Sequence, residues 1–323
     1  MIQSNALKEE KLKHYGEQMT QQSAEIADPI VTRLRALAQD LPDLRDATQV
    51  YEIILPLLRD ADLHVTPIAL TADQAHGKLE MGLPLLQDVE LEFDAKAASE
   101  LMLQFARALE TKIGDSRPPD LGVAARWIRL ALEDDDLDFS VLVPHVAKGD
   151  KESVTSLAQS LRLDPNLVWT LAQNTLKPAL SVWRQQLATY AERSSWRKGN
   201  CYVCGLAATL GELQENLQVM HLRCGQCGAD WQFPRLQCIY CGNQDHKTLG
   251  YLYAETQPEK MRVEVCDRCH GYLKVIAAFS PTPPELLAVE DLATLHLDYI
   301  AQARGYERIA VKWSMNHARS VFE

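Results

Sequence analysis

The eight cysteines of the chain all fall into four Cys-x-x-Cys pairs between positions 201 and 269: Cys201/Cys204, Cys224/Cys227, Cys238/Cys241 and Cys266/Cys269. A Cys-x-x-Cys turn aims two sulfurs at one ion, and four thiolates complete a tetrahedral shell around zinc or a single iron. Eight thiolates therefore make two closed sites with none left over. The gaps between successive pairs are 19, 10 and 24 residues. They favour sequential closure, with Cys201, Cys204, Cys224 and Cys227 as site 1 and Cys238, Cys241, Cys266 and Cys269 as site 2. A cross-braced, interleaved pairing is the alternative. On the sequential reading, losing one thiol destabilises its own module and spares the helical half.

Glycine follows the second cysteine in three pairs, as Gly205, Gly228 and Gly242. That position in a metal knuckle asks for positive φ, which glycine adopts without strain. The fourth pair reads Cys269-His270-Gly271, with its glycine one place late. Two rival uses of the cysteines fit less well. Disulfides are rare in a cytosolic chain, and residues 1–22 show no apolar core of a secretory signal, so a cytoplasmic location is expected. A redox dithiol expects one Cys-x-x-Cys opening a helix in a βαβ context, not four glycine-flanked pairs. His221, His246 and His270 lie nearby, but the cysteines already close both shells, so these read as exposed loop histidines. Tyr202, Trp231, Tyr240, Tyr251, Tyr253 and Tyr272 read as the small core such modules need.

The formal net charge of the 323 residues is −11. Residues 1–194 carry −10, while 195–277 carry +1 before any metal is counted. Two divalent ions in eight thiolates would make that segment more negative still. Nucleic-acid binding rests on a basic patch that neutralises phosphate, and none is visible, so a zinc-ribbon nucleic-acid module is disfavoured. Closed all-sulfur sites leave no open position for substrate, and no phosphate loop or nucleophile motif occurs, so no enzyme activity is expected. The longest apolar runs, such as Ile53–Leu58, are too short to span a bilayer. No membrane insertion is expected, and a homo-oligomer is compatible with the sequence.

Upstream of Trp196 the apolar residues recur at helical spacing. Stripes occur at Ile30/Leu34/Leu37, Val50/Ile53/Ile54/Leu57/Leu58, Leu101/Phe105/Ala108/Leu109 and Leu121/Ala124/Ile128/Leu132. Pro56 is placed to kink the second stripe, and Glu133–Asp136 reads as a solvated turn. Asp164-Pro165 looks like an N-cap and first-turn proline for a helix running from about Asn166 to Glu192, kinked near Pro178. Between Ser195 and Ile276 short runs near 219–222, 248–253 and 261–265 read as hairpin strands. The proline-rich stretch 279–284 then leads into one last helix with Leu286, Val289, Ala293 and Leu297 on one side. The expected architecture is an α-helical N-terminal domain plus a small β-rich C-terminal region. That region holds two rubredoxin- or zinc-ribbon-like four-cysteine modules and ends in a terminal helix. Its parts are a polar segment (1–25), an all-α domain (26–194), module one (195–234), module two (235–280), the terminal helix (281–304) and a tail (305–323).

The strings around the knuckles are far more specific than the bare pairs. They read Cys-Tyr-Val-Cys-Gly (201–205), His-Leu-Arg-Cys-Gly-Gln-Cys-Gly (221–228) with Trp231, and Pro-Arg-Leu-Gln-Cys-Ile-Tyr-Cys-Gly (234–242). Arg-Val-Glu-Val-Cys-Asp-Arg-Cys-His-Gly-Tyr-Leu-Lys (262–274) and Asp-Leu-Ala-Thr-Leu-His-Leu-Asp (291–298) complete the order. Most of the chain thereby resembles the formate dehydrogenase accessory protein family, FdhE. The resemblance implies a cytoplasmic assembly factor that binds the catalytic subunit of a formate dehydrogenase. It also implies rubredoxin-like four-cysteine centres, one mononuclear ion in each, iron or zinc. A rubredoxin-like electron carrier is the alternative. The tail departs from the family's short Asn-Pro-Phe-like ending, so no function is assigned to it. Metal modules stiffen loops, and rigid loops displaying aromatic and arginine side chains suit partner surfaces. Arg223, Trp231, Arg235, Tyr240 and Arg268 are the candidate partner-binding residues.

Overall fold

The fold was analysed in a computed structural model. The structure describes residues 28–113, 121–191, 196–214, 219–253 and 260–309. The polar segment 1–25, the Pro118-Pro119 break and the tail beyond residue 309 lie outside the described residues. The N-terminal half is helical: α1 (Pro29–Asp40), α2 (Arg45–Arg59), α3 (Ala72–Glu80), α4 (Ala95–Ile113), α5 (Leu121–Glu133), α6 (Phe139–Ala147), α7 (Lys151–Ser160), α8 (Pro165–Thr175) and α9 (Lys177–Ala191). The apolar stripes of α2–α9 meet in one core that includes Ile54, Phe105, Leu109, Ile128, Leu171 and Leu187, while Leu34 of α1 packs with Leu55 and Val289 in a separate cluster.

Local chemistry explains the helix boundaries. Asp164 caps α8 by accepting from Leu167 N at 2.7 Å, and Pro165 occupies its first turn. The kinked helix expected around Pro178 is instead two helices that part at Leu176. Pro178 lies in the first turn of α9, where a missing N–H leaves no bond unmade. Pro56 is tolerated inside α2, and the acidic run at 133–136 is an exposed turn.

The C-terminal half is a six-stranded sheet: β1 (Leu210–Gln214), β2 (Val219–Arg223), β3 (Asp230–Gln232), β4 (Leu249–Leu252), β5 (Met261–Cys266) and β6 (Tyr272–Ala278), in the order β3-β2-β1-β6-β5-β4. Only the β1–β6 pair is parallel. The first two knuckles bracket β1 and β2, and the last two bracket β4 and β5. The β1–β6 seam joins both modules into one continuous sheet. The single terminal helix expected from periodicity is α10 (Leu287–Ala293) followed by α11 (Leu295–Gln302), parted at Thr294. There Thr294 Oγ1 bonds back to Glu290 O at 2.7 Å, a competitor of the helical ladder. Helix α11 lies on the β4–β5 end of the sheet, with Leu297 and Ala301 against Val263 and Val265. Among the described residues no helix is long and apolar enough to cross a membrane.

Candidate metal centres

All four knuckles fold by the same two backbone bonds. The residue after the second cysteine donates to the carbonyl of the first: Gly205 to Cys201 (3.0 Å), Gly228 to Cys224 (2.8 Å), Gly242 to Cys238 (3.0 Å) and His270 to Cys266 (2.8 Å). The first cysteine's N–H then bonds to the next carbonyl but one after each pair, at 2.8–3.0 Å: Cys201 to Leu206, Cys224 to Ala229, Cys238 to Asn243 and Cys266 to Gly271. The turn needs positive φ after the second cysteine, met at 82° in Gly205, 76° in Gly228 and 69° in Gly242. In the fourth knuckle His270 itself takes φ 56°. The glycine that follows serves packing instead, since a Cβ on Gly271 would come within 2.5 Å of the Tyr240 ring. A left-handed non-glycine residue costs about 1–2 kcal/mol, partly offset by the greater freedom glycine loses on folding. His270→Gly is therefore expected to raise stability by about 0.5–1 kcal/mol. Urea unfolding of metal-loaded protein checks this, and an unchanged or lower midpoint would contradict it.

The knuckles bring the thiols together in two sets: Cys201, Cys204, Cys224 and Cys227, and Cys238, Cys241, Cys266 and Cys269. Within each set the sulfurs lie within 4.8 Å of one another. Cys201 Sγ is 3.5 Å from Cys227 Sγ, and Cys204 Sγ is 3.5 Å from Cys224 Sγ. In the second set Cys238–Cys269 measures 3.6 Å and Cys241–Cys266 measures 3.7 Å. A tetrahedron with metal–sulfur bonds of about 2.3 Å has edges of about 3.8 Å. Both clusters thus fit one tetrahedral ion each, and the sulfur-only donor set suits zinc or iron.

The surroundings of the clusters differ. All four cysteines of the first are buried, whereas Cys241 of the second is exposed and Cys269 half-buried. The first knuckle is also stitched to the helical half. Leu85 N and Leu86 N donate to Tyr202 O (2.7 Å) and Val203 O (3.0 Å), and Gln226 Nε2 of the second knuckle donates to Gln173 O at 3.0 Å. These bonds give the expectation that loss of site 1, unlike loss of site 2, reaches the helical half. At site 2 burial alone would raise the Cys266 thiol. The backbone N–H of Cys269, the Asn243 amide and the Arg268 N–H outweigh it and bring the thiol down to about 7.

The five candidate partner-binding residues separate by exposure. Arg235 and Arg268 are exposed, and Tyr240 is half-buried with its hydroxyl donating to Tyr272 O at 2.9 Å. Arg223 and Trp231 are 2% and 6% exposed and are not available to a partner. The reason is internal pairing. Arg223 Nη1 donates to the buried Glu212 Oε2 at 2.7 Å and Nη2 to Thr282 O at 2.6 Å. Trp231 Nε1 donates to Lys198 O at 2.9 Å, and its ring meets Tyr202 edge-on. His221 is likewise no loop histidine. It sits on β2, half-buried and paired with Asp230, whereas His246 and His270 are exposed.

A second charge cluster escaped the sequence reading. Lys274, fully buried on β6, pairs with Asp291 and Asp298 at 2.7 Å each. Tyr272 donates to Asp298 at 2.7 Å, and Arg308 reaches Asp298 at 3.1 Å. Glu307 bonds back to the fourth knuckle through Glu307 N to His270 O at 2.8 Å. The start of the tail, given no role from its sequence, thereby ties the last helices to the sheet. The signal was present in the Asp291…Asp298 string, but no spacing rule says that a lysine on a strand will meet it.

Comparison with known proteins agrees with this architecture. Residues 236–315 match the family model described as "FdhE, C-terminal domain", which runs from the third knuckle through α11 into the tail. A protein FdhE homolog of Stutzerimonas stutzeri is 30% identical over 193 residues, 57% of this chain and 62% of the relative. One of Aquifex aeolicus is 26% identical over 175 residues, 52% of this chain and 60% of the relative. The matched part therefore spans about three fifths of these relatives' own length. The crystal structure of the FdhE protein from Pseudomonas aeruginosa shares the fold, with a TM-score of 0.59 at 22% identity over 87% of this chain and 92% of that one. The knuckle strings, the paired four-thiol clusters and these matches together support the FdhE family, with residues 236–315 matching its C-terminal domain.

Proposed function

We propose that the protein is a cytoplasmic accessory factor for maturation of a formate dehydrogenase, and that it binds the catalytic subunit of that enzyme through the surface its second metal module displays. Cys201, Cys204, Cys224 and Cys227 hold one ion, and Cys238, Cys241, Cys266 and Cys269 hold another, iron or zinc. The observation that carries the reading is the match of the second module, knuckles and closing helix together, to the family's C-terminal domain. The metals supply rigidity. Each closes loops that a short chain segment could not order by apolar burial alone. With all four positions taken by sulfur, neither ion has a place for substrate, so the role is binding rather than turnover. Arg235, Tyr240 and Arg268 remain as partner-facing residues, all beside the second cluster.

The test is co-purification. Tagged full-length protein, isolated without oxygen from cells making a respiratory formate dehydrogenase, should carry the catalytic subunit, and deletion of its gene should abolish formate oxidation. Undiminished formate dehydrogenase activity in the deletion strain would sink the proposal. One observation favours a second reading, electron transfer. Cys241 is exposed, which would bring a single iron at site 2 to the surface. That reading requires red protein with a reversible one-electron potential. Colourless anaerobic protein with two zinc ions per chain would exclude it.

A further inference from the structure

At one end of the sheet β4 pairs with β5, and among the described residues nothing pairs with its other side. Thr248 O accepts from Asp267 N at 2.9 Å. By the antiparallel alternation of bonded and non-bonded pairs, Gly250 and Leu252 then turn their backbone groups toward β5, while Leu249 and Tyr251 turn theirs outward. Unpaired edge groups are a template for another strand, and proteins guard such edges with charge, proline or bulges. Leu-Gly-Tyr-Leu contains neither charge nor proline, and its register with β5 runs without a bulge.

Val263 and Val265 face α11, so Arg262 and Glu264 between them face the opposite side of the sheet. On that side a cavity of about 240 Å³ opens beside the β4 edge, lined by Arg235, Leu236, Leu249, Tyr251, Arg262 and Glu264 among others. Leu236 and Tyr251 are 72% and 61% exposed, apolar surface at the mouth of this cavity, with Tyr253 stacked on Tyr251 at 6.0 Å. Arg262 lies 5.7 Å over the Tyr251 ring and donates to Glu264 at 2.5 Å, yet its buried Nε meets no acceptor. Arg235 is exposed and makes no hydrogen bond or ion pair among the described residues. The shelf thus sets two guanidiniums against one carboxylate and holds a donor in want of an acceptor.

We propose that the β4 edge and this shelf take an extended peptide segment carrying a carboxylate side chain. The segment adds as a seventh strand through the outward groups of Leu249 and Tyr251. Its apolar residues cover Leu236 and Tyr251, and its carboxylate meets Arg235 and Arg262. Main-chain bonds then give affinity and the alternate side chains give selectivity. The inference rests on the accessory-factor reading and supplies its docking mode.

The experiment uses metal-loaded full-length protein and a fluorescein-labelled peptide whose every second residue is alternately valine and glutamate with threonine between, so that both types share one face, with the same peptide carrying lysine for glutamate as control, followed by anisotropy. The glutamate peptide should bind, and the lysine peptide should bind at least about tenfold more weakly. Tyr251→Pro removes an outward N–H and leaves the β5 ladder intact, since edge strands tolerate proline on the solvent side. It should weaken binding about fivefold or more. Arg235→Glu changes only an exposed side chain and should weaken it about tenfold. Absence of binding, equal binding of the two peptides, or undiminished binding by both variants would overturn the docking site. If the formate dehydrogenase catalytic subunit co-purifies equally with wild type and both variants, the docking site falls and the accessory role stands. If it fails to co-purify even with wild type, the accessory role falls.

Discussion

Cys204→Ser should empty the first metal site and loosen the helical half with it, whereas Cys241→Ser should cost the second ion and leave the helices in place. Metal binding by small structural zinc sites is worth about 10–16 kcal/mol of folding free energy, against a total stability of about 5–15 kcal/mol for a typical domain. Where that energy is felt depends on what each knuckle holds. Tyr202 and Val203, inside the first knuckle, accept the Leu85 and Leu86 N–H groups, and Gln226 of the second reaches Gln173. Collapse of site 1 therefore leaves buried polar groups unpaired in the helical domain as well. The second cluster has an exposed thiol and packs on the far end of the sheet. Because the ligands must be thiolates, acidification or a chelator should strip both ions, the exposed second site first. Metal content should fall from two ions per chain to one in Cys241→Ser, with helical circular dichroism and its melting midpoint nearly unchanged. In Cys204→Ser the midpoint should drop steeply. Equal thermal losses in the two variants would contradict the asymmetry.

The same contrast shows what could be read from the chain and what could not. The eight cysteines, their spacing and three of the four positive-φ positions are local facts, and local geometry decides them. The helices of the first half were legible for a similar reason, since each stripe, cap and proline acts within a few residues. Relations between distant segments left no such mark. Strand β1 is a short run, Leu-Gly-Glu-Leu-Gln, whose glutamate would ordinarily point to solvent. Its partners on either side, β2 and β6, are what make it a central strand. Arg223 looked like a surface arginine next to a knuckle because its buried partner, Glu212, lies eleven positions away on another strand. Likewise nothing near His270 announced that it would adopt a glycine's conformation. That follows from the repeated turn shared by all four knuckles rather than from its own neighbours.

Glu212→Leu should destabilise the sheet by about 3–5 kcal/mol, the cost of leaving a buried charge without its partner. Both members are almost wholly buried, Glu212 at 0% and Arg223 at 2%. After the substitution Arg223 keeps only Thr282 O at 2.6 Å and a looser contact with Asp230 at 3.6 Å. Asp230 is already engaged by Gln214 and His221, so it cannot turn fully toward the orphaned guanidinium. Pairing Glu212→Leu with Arg223→Met removes both charges at once, and an apolar pair of similar volume should recover most of the loss. A double-mutant cycle by urea unfolding of metal-loaded protein measures the difference. Additive losses in the cycle would show that the two side chains do not act as a pair. Recovery in the double variant carries a further consequence. The Arg223–Thr282 bond fastens the proline-rich connector to the sheet, so the rescued protein should regain stability while its connector becomes more susceptible to proteolysis at 279–284 than in wild type. Equal cleavage of the two proteins would mean that the connector is held by α10 packing, with Leu287 and Val289 buried, and not by the arginine.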